Sequence, residues 1–390
     1  MTNKNYDVIF VLLSPTLRYP PGGYDIVYRL ASGLNKNGLK TAICFVLNID
    51  EYIPNYYYLK NRISNKSIFL TFVIEKIPVP NFLFKLVYHH YKSLANIFFK
   101  VDYDYDILKN VPLYLIKSGN ENNIPETKLI IATAWQTAYF VNNFSKVHKS
   151  IPYYLIQHSE DEPSFSGENS INAKKTYDFN FKKIVINEKV YNRFKSENPL
   201  FFHVGIDNNF YKLINSFEDR GYIMFPIRNN ESKGAKYAIE TIEKLLDNNK
   251  NIKIIAFGDF NRDELPPPIQ DKYYYLPSRK VLRELYNKSI IFVSPSIVEG
   301  MSLPPLEAMS CGCAIITSDN GGINEYIQDG VNGLICPIKD SNCLYEKIKF
   351  LLENESLLKN LRKNGLITAE NFSYENMITN FVKIIRNEIN

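Results

Sequence analysis

The sequence predicts an α/β protein made of two consecutive domains, each built around a parallel β-sheet. Three observations carry this. The chain has 390 residues, too many for one compact core and suited to two. Short unbroken apolar runs alternate with segments of helical period in both halves. Polar, turn-like stretches, Gly205-Ile206-Asp207-Asn208-Asn209 and Ser216-Phe217-Glu218-Asp219, mark a boundary near 205–220.

The elements follow in order. Val8 to Leu13 is an apolar run closed by Ser14-Pro15 and reads as a strand buried on both faces. Pro20-Pro21-Gly22-Gly23 reads as a loop. Ile26, Val27, Leu30, Ala31 and Leu34 then recur at helical spacing, and Gly38 stands where a C-terminal glycine cap belongs. Thr41 to Leu47 is a second strand, so the unit opens a parallel, Rossmann-like sheet. Leu129 to Ala132, Tyr153 to Ile156 and Ile184 to Ile186 are further strands. In the second half, Tyr222 to Phe225 is a strand. Ala235 to Leu246 is a helix with Ala238, Ile239, Ile242, Leu245 and Leu246 on one face, and Ile252 to Phe257 is a strand. Lys280 to Lys288 is a helix, Ile290 to Ser294 a strand, Pro304 to Cys311 a helix and Ala314 to Thr317 a strand, with a final helix from Ser341 to Leu352.

A hydrophobic fraction of 45% with 22% charged residues excludes a disordered, collagen-like or coiled-coil chain. The formal net charge of +5 is too dilute to argue for a nucleic-acid partner. It is unevenly spread: residues 1–200 hold 24 basic and 17 acidic side chains, residues 201–390 hold 22 and 24. In 54–100, Lys60, Arg62, Lys66, Lys76, Lys85, Lys92 and Lys100 face only Glu75 and are interleaved with aromatics. That pattern suits peripheral contact with an anionic membrane, and equally a lid helix with its lysines in water. His89-His90 in this segment reads as structural. Five cysteines, odd in number and set in apolar segments, read as buried free thiols; Cys311-Gly-Cys313 has no partner pair at zinc spacing. The first apolar run is too short for a signal-peptide core, and no stretch reaches the ~18 apolar residues of a spanning helix. The expected location is cytoplasmic, or at the inner membrane surface.

The chemistry is densest between Ser294 and Gly312. A strand ends at Ser294, Glu299-Gly300 sits on the following loop, Pro304-Pro305 opens a helix, and Glu307 is expected in its first turn. Backbone N–H groups of Gly300, Met301, Ser302 and Leu303 then point out of the carboxyl edge of the sheet, where open α/β sheets bind ligands and a helix start favours anions. Glu299 and Glu307 cannot bind phosphate, but they accept hydrogen bonds from hydroxyls. A phosphate and several hydroxyls in one pocket describe a nucleotide sugar. Arg228 and Lys233, after the strand Tyr222 to Phe225, supply two cations at the same edge. At ~4 Å and an effective dielectric of ~20 each contact to a phosphate is worth roughly 4 kcal/mol before desolvation. No oxygen-ligand cluster for a metal is evident, so no metal or other cofactor is expected.

These residues resemble glycosyltransferase family 4, the retaining enzymes of GT-B fold. Glu299 and Glu307 match its Glu-x7-Glu pattern, and Arg228 with Lys233-Gly234 its Arg…Lys-Gly element. Gly321-Gly322 with Glu325, and Asp329-Gly330-Val331-Asn332-Gly333, match two further loops. The match is strong over 204–340 and looser before it, through Pro21-Gly22-Gly23 and Gly205-Ile206-Asp207. Met301-Ser302 replaces the family's Phe-Gly, and Leu39 its His. The resemblance implies two Rossmann-like domains facing a central cleft: 1–208 on the acceptor side, 209–372 for the nucleotide-sugar donor, and 373–390 as a helix crossing back. It implies that Arg228 and Lys233 bind the donor diphosphate, Glu307 the ribose hydroxyls and Glu299 the transferred sugar. Amides at Gly300–Leu303 would contact sugar and phosphate, and Gly22 and Gly23 the diphosphate or the acceptor. The reaction implied moves a sugar from a nucleoside diphosphate to an acceptor hydroxyl with retention, the departing phosphate taking the acceptor's proton.

Thr133-Ala-Trp135-Gln-Thr137-Ala138 and Tyr153-Tyr-Leu-Ile-Gln157-His158-Ser-Glu160-Asp161 are similar to bacterial rhamnosyltransferase-like members that build surface polysaccharide. This points to a glycan, lipid-linked or protein acceptor. His158, past a strand end, is a candidate catalytic residue positioning sugar or acceptor; a hydrogen-bonded structural histidine is the other reading. A nucleotide-sugar epimerase of the same fold and a non-catalytic partner subunit are the rival functions. The first would consume donor without acceptor; the second would tolerate loss of Arg228 or Glu307.

Overall fold

A computed structural model of the protein describes residues 5–13, 22–47, 105–117, 124–214, 216 and 220–389. Segment 54–100 with His89-His90, Ser14-Pro15, Pro20-Pro21 and Phe217-Glu218-Asp219 lie outside the described residues. The chain divides into two compact units. One holds Met1–Ile186, Val190–Phe202 and Ile378–Asn390; the other holds Asn187–Lys189 and His203–Met377.

The first unit contains the strands β1 (Tyr6–Leu12), β2 (Thr41–Leu47), β3 (Leu113–Lys117), β4 (Thr127–Ala132), β5 (Ile151–Ile156), β6 (Lys182–Val185) and β7 (Leu200–Phe201). Among the described residues they form one parallel sheet in the order β3-β2-β1-β4-β5-β6-β7. β1 is central, and Val8, Ile9, Phe10 and Val11 are all fully buried, which is why it reads as an unbroken apolar run. Helices Gly22–Lys36 and Trp135–Val147 connect neighbouring strands. From Ile378 onward the last helix, Tyr374–Ile389, belongs to this unit. Its Phe381 packs against Phe10, with ring centroids 6.1 Å apart, and against Phe202 at 4.9 Å. Its Glu388 accepts hydrogen bonds from the Tyr153 hydroxyl and from Lys182 Nζ, the latter at 2.7 Å.

The second unit contains β8 (Tyr222–Ile227), β9 (Lys253–Gly258), β10 (Tyr273–Tyr275), β11 (Ser289–Ser294), β12 (Ala314–Ser318) and β13 (Leu334–Cys336). They pair in parallel in the order β10-β9-β8-β11-β12-β13. The connections run outward from β8 through β9 to β10, and then return to the other side of β8 at β11. The sheet therefore has a switch point between β8 and β11, and a crevice opens beyond their carboxyl ends. Helices Ala235–Asn248 and Ser341–Glu353 lend Ala238, Ile242, Leu245, Leu344, Ile348 and Leu351 to its core.

Several expectations are corrected. Gly22 and Gly23 are not loop residues; they open the helix Gly22–Lys36. The helix after Ser341 is not the last of its domain, because Glu355–Asn371 follows, capped by Asn354. Glu307 is not in the first turn of its helix: the helix begins at Leu303, so Glu307 is one turn further in, where the dipole of the helix start is weaker. The cysteines are not all free. Cys336 and Cys343 form a disulfide, because β13 ends and the next helix begins close enough to bring their Cα atoms to 5.8 Å. Cys44, Cys311 and Cys313 are buried thiols. No helix among the described residues is long and apolar enough to cross a membrane.

Candidate functional site

The loop after β8 carries Arg228 and Lys233, and the loop after β11 carries Glu299 and leads into the helix of Glu307. β8 and β11 are neighbours, so both loops leave the sheet side by side at the switch point. Hydrogen bonds stitch them together. The Ser232 carbonyl accepts from the backbone N–H of Ile297 at 2.8 Å. The Asn230 side chain accepts from Ser232 N–H and Oγ, closing a tight turn. Gly234 ends that turn at φ +68°, with no room for a side chain: a Cβ there would lie 2.1 Å from the Pro295 carbonyl oxygen.

This stitching brings Lys233 onto Glu299. Their charged ends are 2.7 Å apart, and the pair is only partly exposed. A third loop, after β12, supports Glu299 from behind. The Asn320 carbonyl accepts from Glu299 N–H at 3.1 Å, and Gly322 packs directly against Glu299 and Gly300. Glu307, half-buried, accepts a hydrogen bond from the Tyr286 hydroxyl at 3.1 Å. Arg228 lies over the ring of Phe257, 5.8 Å from its centroid, at the carboxyl end of the adjacent strand β9.

Between the two glutamates runs the segment Gly300–Leu303. Pro304 and Pro305 carry no N–H, so the donors at this helix start are the amides of Gly300, Met301, Ser302 and Leu303. They meet no acceptor among the described residues. Met301 and Ser302 are nearly buried, and the Tyr326 hydroxyl donates to the Ser302 carbonyl at 2.5 Å, which fixes the segment. Burial, and then the charge of Glu299, hold the Tyr326 hydroxyl well above its ordinary pKa, so it remains a donor. The structure thus joins Lys233 to Glu299 beside a row of amides, with Arg228 on the same loop as Lys233 and Glu307 on the helix that follows; cations, acids and free N–H groups are the kinds of group that hold an anion flanked by hydroxyls. Among the described residues no group of three or more His, Cys, Asp or Glu side chains is placed to hold a metal ion.

Asn332 bonds the Tyr326 carbonyl, Thr368 and Gln328 N–H, which ties a turn to the helix Glu355–Asn371. Glu325 accepts from the backbone of Glu188 at 2.7 Å and contacts His203 Nε2 at 3.0 Å.

Gly22, Gly23 and His158 belong to the first unit. Gly23 lies against the Gln157 side chain; a Cβ there would come within 2.9 Å of its amide oxygen. His158 follows on the same loop, half-buried. The loop is anchored by Glu160, which the sequence reading quoted without a role. Its carboxyl accepts from the Tyr154 hydroxyl and from the backbone N–H of Trp135, while its own N–H donates to the Tyr177 hydroxyl at 2.9 Å. Burial pushes the Glu160 carboxyl up to about 8. Tyr286 was also missed. Its position in the helix Arg279–Lys288 reads as ordinary core, and no spacing marks it as the partner of Glu307.

Residues 208–367 match the family model described as glycosyl transferases group 1. Along most of its length the chain is similar to the N,N'-diacetylbacillosaminyl-diphospho-undecaprenol alpha-1,3-N-acetylgalactosaminyltransferase of Campylobacter jejuni. The identity is 25% over 352 residues, covering 87% of this chain and 84% of that protein. HepE of Anabaena, solved in complex with UDP-glucose, superposes with a TM-score of 0.68 at 14% identity, covering 98% of this chain and 100% of that one. A glycosyltransferase from Rickettsia africae gives 0.61 at 16% identity, covering 99% and 98%. These likenesses show the fold, GT-B, with two parallel-sheet α/β domains. Residues 208–367 thus match the glycosyl transferases group 1 model, on a chain of GT-B fold that is similar in sequence to glycosyltransferases.

Proposed function

We propose that the protein transfers a sugar, with retention, from a nucleoside-diphosphate sugar to an acceptor hydroxyl in the synthesis of a bacterial surface glycan. The observation that carries the reading is the meeting of Lys233 and Glu299 at the switch-point edge, 2.7 Å apart, beside amides with no acceptor among the described residues. In this reading Arg228 and Lys233 neutralise the diphosphate, and the amides of Gly300–Leu303 bind its oxygens and the sugar. Glu299 turns from Lys233 to the hydroxyls of the transferred sugar, and Glu307 takes the ribose. The bond from the anomeric carbon to the diphosphate oxygen breaks, the bond to the acceptor oxygen forms, and the acceptor's proton passes to the departing phosphate. Charge that builds on that phosphate is stabilised by cations already in place. His158, Gly22 and Gly23 are assigned to the acceptor side. A lipid-linked acceptor is favoured by the similarity to an enzyme whose name places its substrate on diphospho-undecaprenol. The uridine donor is favoured by the fold shared with a protein that binds UDP-glucose.

A thermal-shift panel of UDP, GDP, dTDP and ADP tests the reading, since a ligand that binds the native state raises its melting temperature. UDP is expected to raise it, and Lys233→Ala to abolish the rise. No response to any of the four would overturn the proposal.

A further inference from the structure

We infer that the Tyr286 hydroxyl is the positioning group that holds Glu307 toward a nucleotide's ribose, and that it sets the site's preference for ribose over sugars lacking those hydroxyls. This rests on the reading that Glu307 takes the ribose. It goes beyond that reading by naming a second residue, one that would never touch the ligand.

A glutamate on a helix turns freely about three side-chain bonds, so a carboxylate that must accept two adjacent hydroxyls needs a partner to set its plane. Tyr286 is placed to be that partner. It is fully buried, and its ring is wedged against Phe292, Tyr211 and Phe257, with centroids 5.5, 6.0 and 6.4 Å away. The ring is held on several sides, so the hydroxyl is a fixed point. From there it donates to Oε2 of Glu307 at 3.1 Å. Burial, and then the Glu307 charge, keep the hydroxyl protonated well above its ordinary range, so it serves only as a donor to the acid. Glu307 itself is half-buried. A tyrosine that merely filled the core at this position would have no need of its hydroxyl.

The test is calorimetric binding of UDP, GDP and ADP, each against its 2′,3′-dideoxy form, to the full chain. For the base that binds, wild type should prefer the ribose form about tenfold or more, as expected of hydroxyls bonding a charged acceptor. Tyr286→Phe keeps the ring and should cut that preference to within about threefold, with dideoxy binding unchanged. In a Glu307→Gln background the same change should have no further effect, because the two residues act as one unit. A merely structural role would lower both affinities together and leave the ratio alone. Should the phenylalanine variant fail to fold, Tyr286→Met, which also lacks a donor, is read the same way. A wild-type protein that binds one of the nucleotides without ribose preference overturns the role of Glu307 and this inference with it, as does binding of none. A preference that survives in Tyr286→Phe overturns this inference alone.

Discussion

The Lys233 ammonium lies 2.7 Å from Glu299 Oε2, so the cation assigned to the phosphate and the acid assigned to the sugar are each other's partner in this structure. Being only partly buried, the pair contributes little to folding, about 0–1 kcal/mol. Lys233→Ala is therefore expected to leave the urea midpoint almost unchanged while reducing turnover about 10²–10³-fold, the usual effect of removing one group that stabilises charge in the transition state. Nucleotide release with and without acceptor, measured beside a urea titration, checks both halves. A large loss of stability with turnover intact would make the pair a structural bond.

Gly322 packs against the Glu299-Gly300 loop so closely that a Cβ would lie 2.9 Å from Glu299 Cβ and 3.0 Å from the carbonyl carbon and oxygen of Gly300. The added methyl of Gly322→Ala must displace that loop. The expected cost is about 1–3 kcal/mol of stability and a fall in kcat/KM of about tenfold or more, because misplacing Glu299 by a fraction of an ångström spoils the geometry of transfer. Steady-state kinetics of the alanine variant, with Lys233 intact, provide the check.

Glu160 gives the first unit a pH dependence. Its carboxyl is raised to about 8 by burial, so the folded chain holds a proton that the unfolded chain releases near the ordinary carboxylate value of 4.5. A raised acid stabilises the fold fully below its unfolded pKa and loses that contribution as pH climbs to the folded value. Stability from this group should fall between about pH 4.5 and 8, by on the order of a few kcal/mol. Glu160→Gln, neutral at every pH, should flatten that slope while keeping the bond from Trp135, whose helix has no capping side chain at Ala134. Urea unfolding at pH 5, 6, 7 and 8, wild type against Gln, measures it; parallel slopes would contradict the assignment.

The last helix completes the first unit through Phe381, which is fully buried between Phe10 and Phe202. Phe381→Ala should cost about 3–5 kcal/mol, the range for deleting a buried aromatic ring. Chemical denaturation followed by far-UV circular dichroism reads it directly.

The central strands, and the charged loops that leave them, were legible in the sequence. β1, β8 and β11 are buried on both faces, and a strand so placed is apolar along most of its length, so the runs Val8 to Leu13 and Ile290 to Ser294 announce themselves. Arg228, Lys233, Glu299 and Glu307 were legible because each follows such a strand. Edge and terminal strands were not. Tyr273–Tyr275 and Leu334–Cys336 are three residues each, and Leu200–Phe201 is two, too short to show a period.

By itself the sequence determined the two-sheet architecture and which loops carry charge, because burial dictates composition strand by strand. Only tertiary structure decided who meets whom. That Lys233 faces Glu299 depends on β8 and β11 being neighbours. That Tyr286 reaches Glu307, and Cys336 reaches Cys343, depends on how helices lie against the sheet. These contacts join residues distant along the chain or separated by a turn. Local pattern is blind to them, since the same apolar spacing serves any packing that buries it.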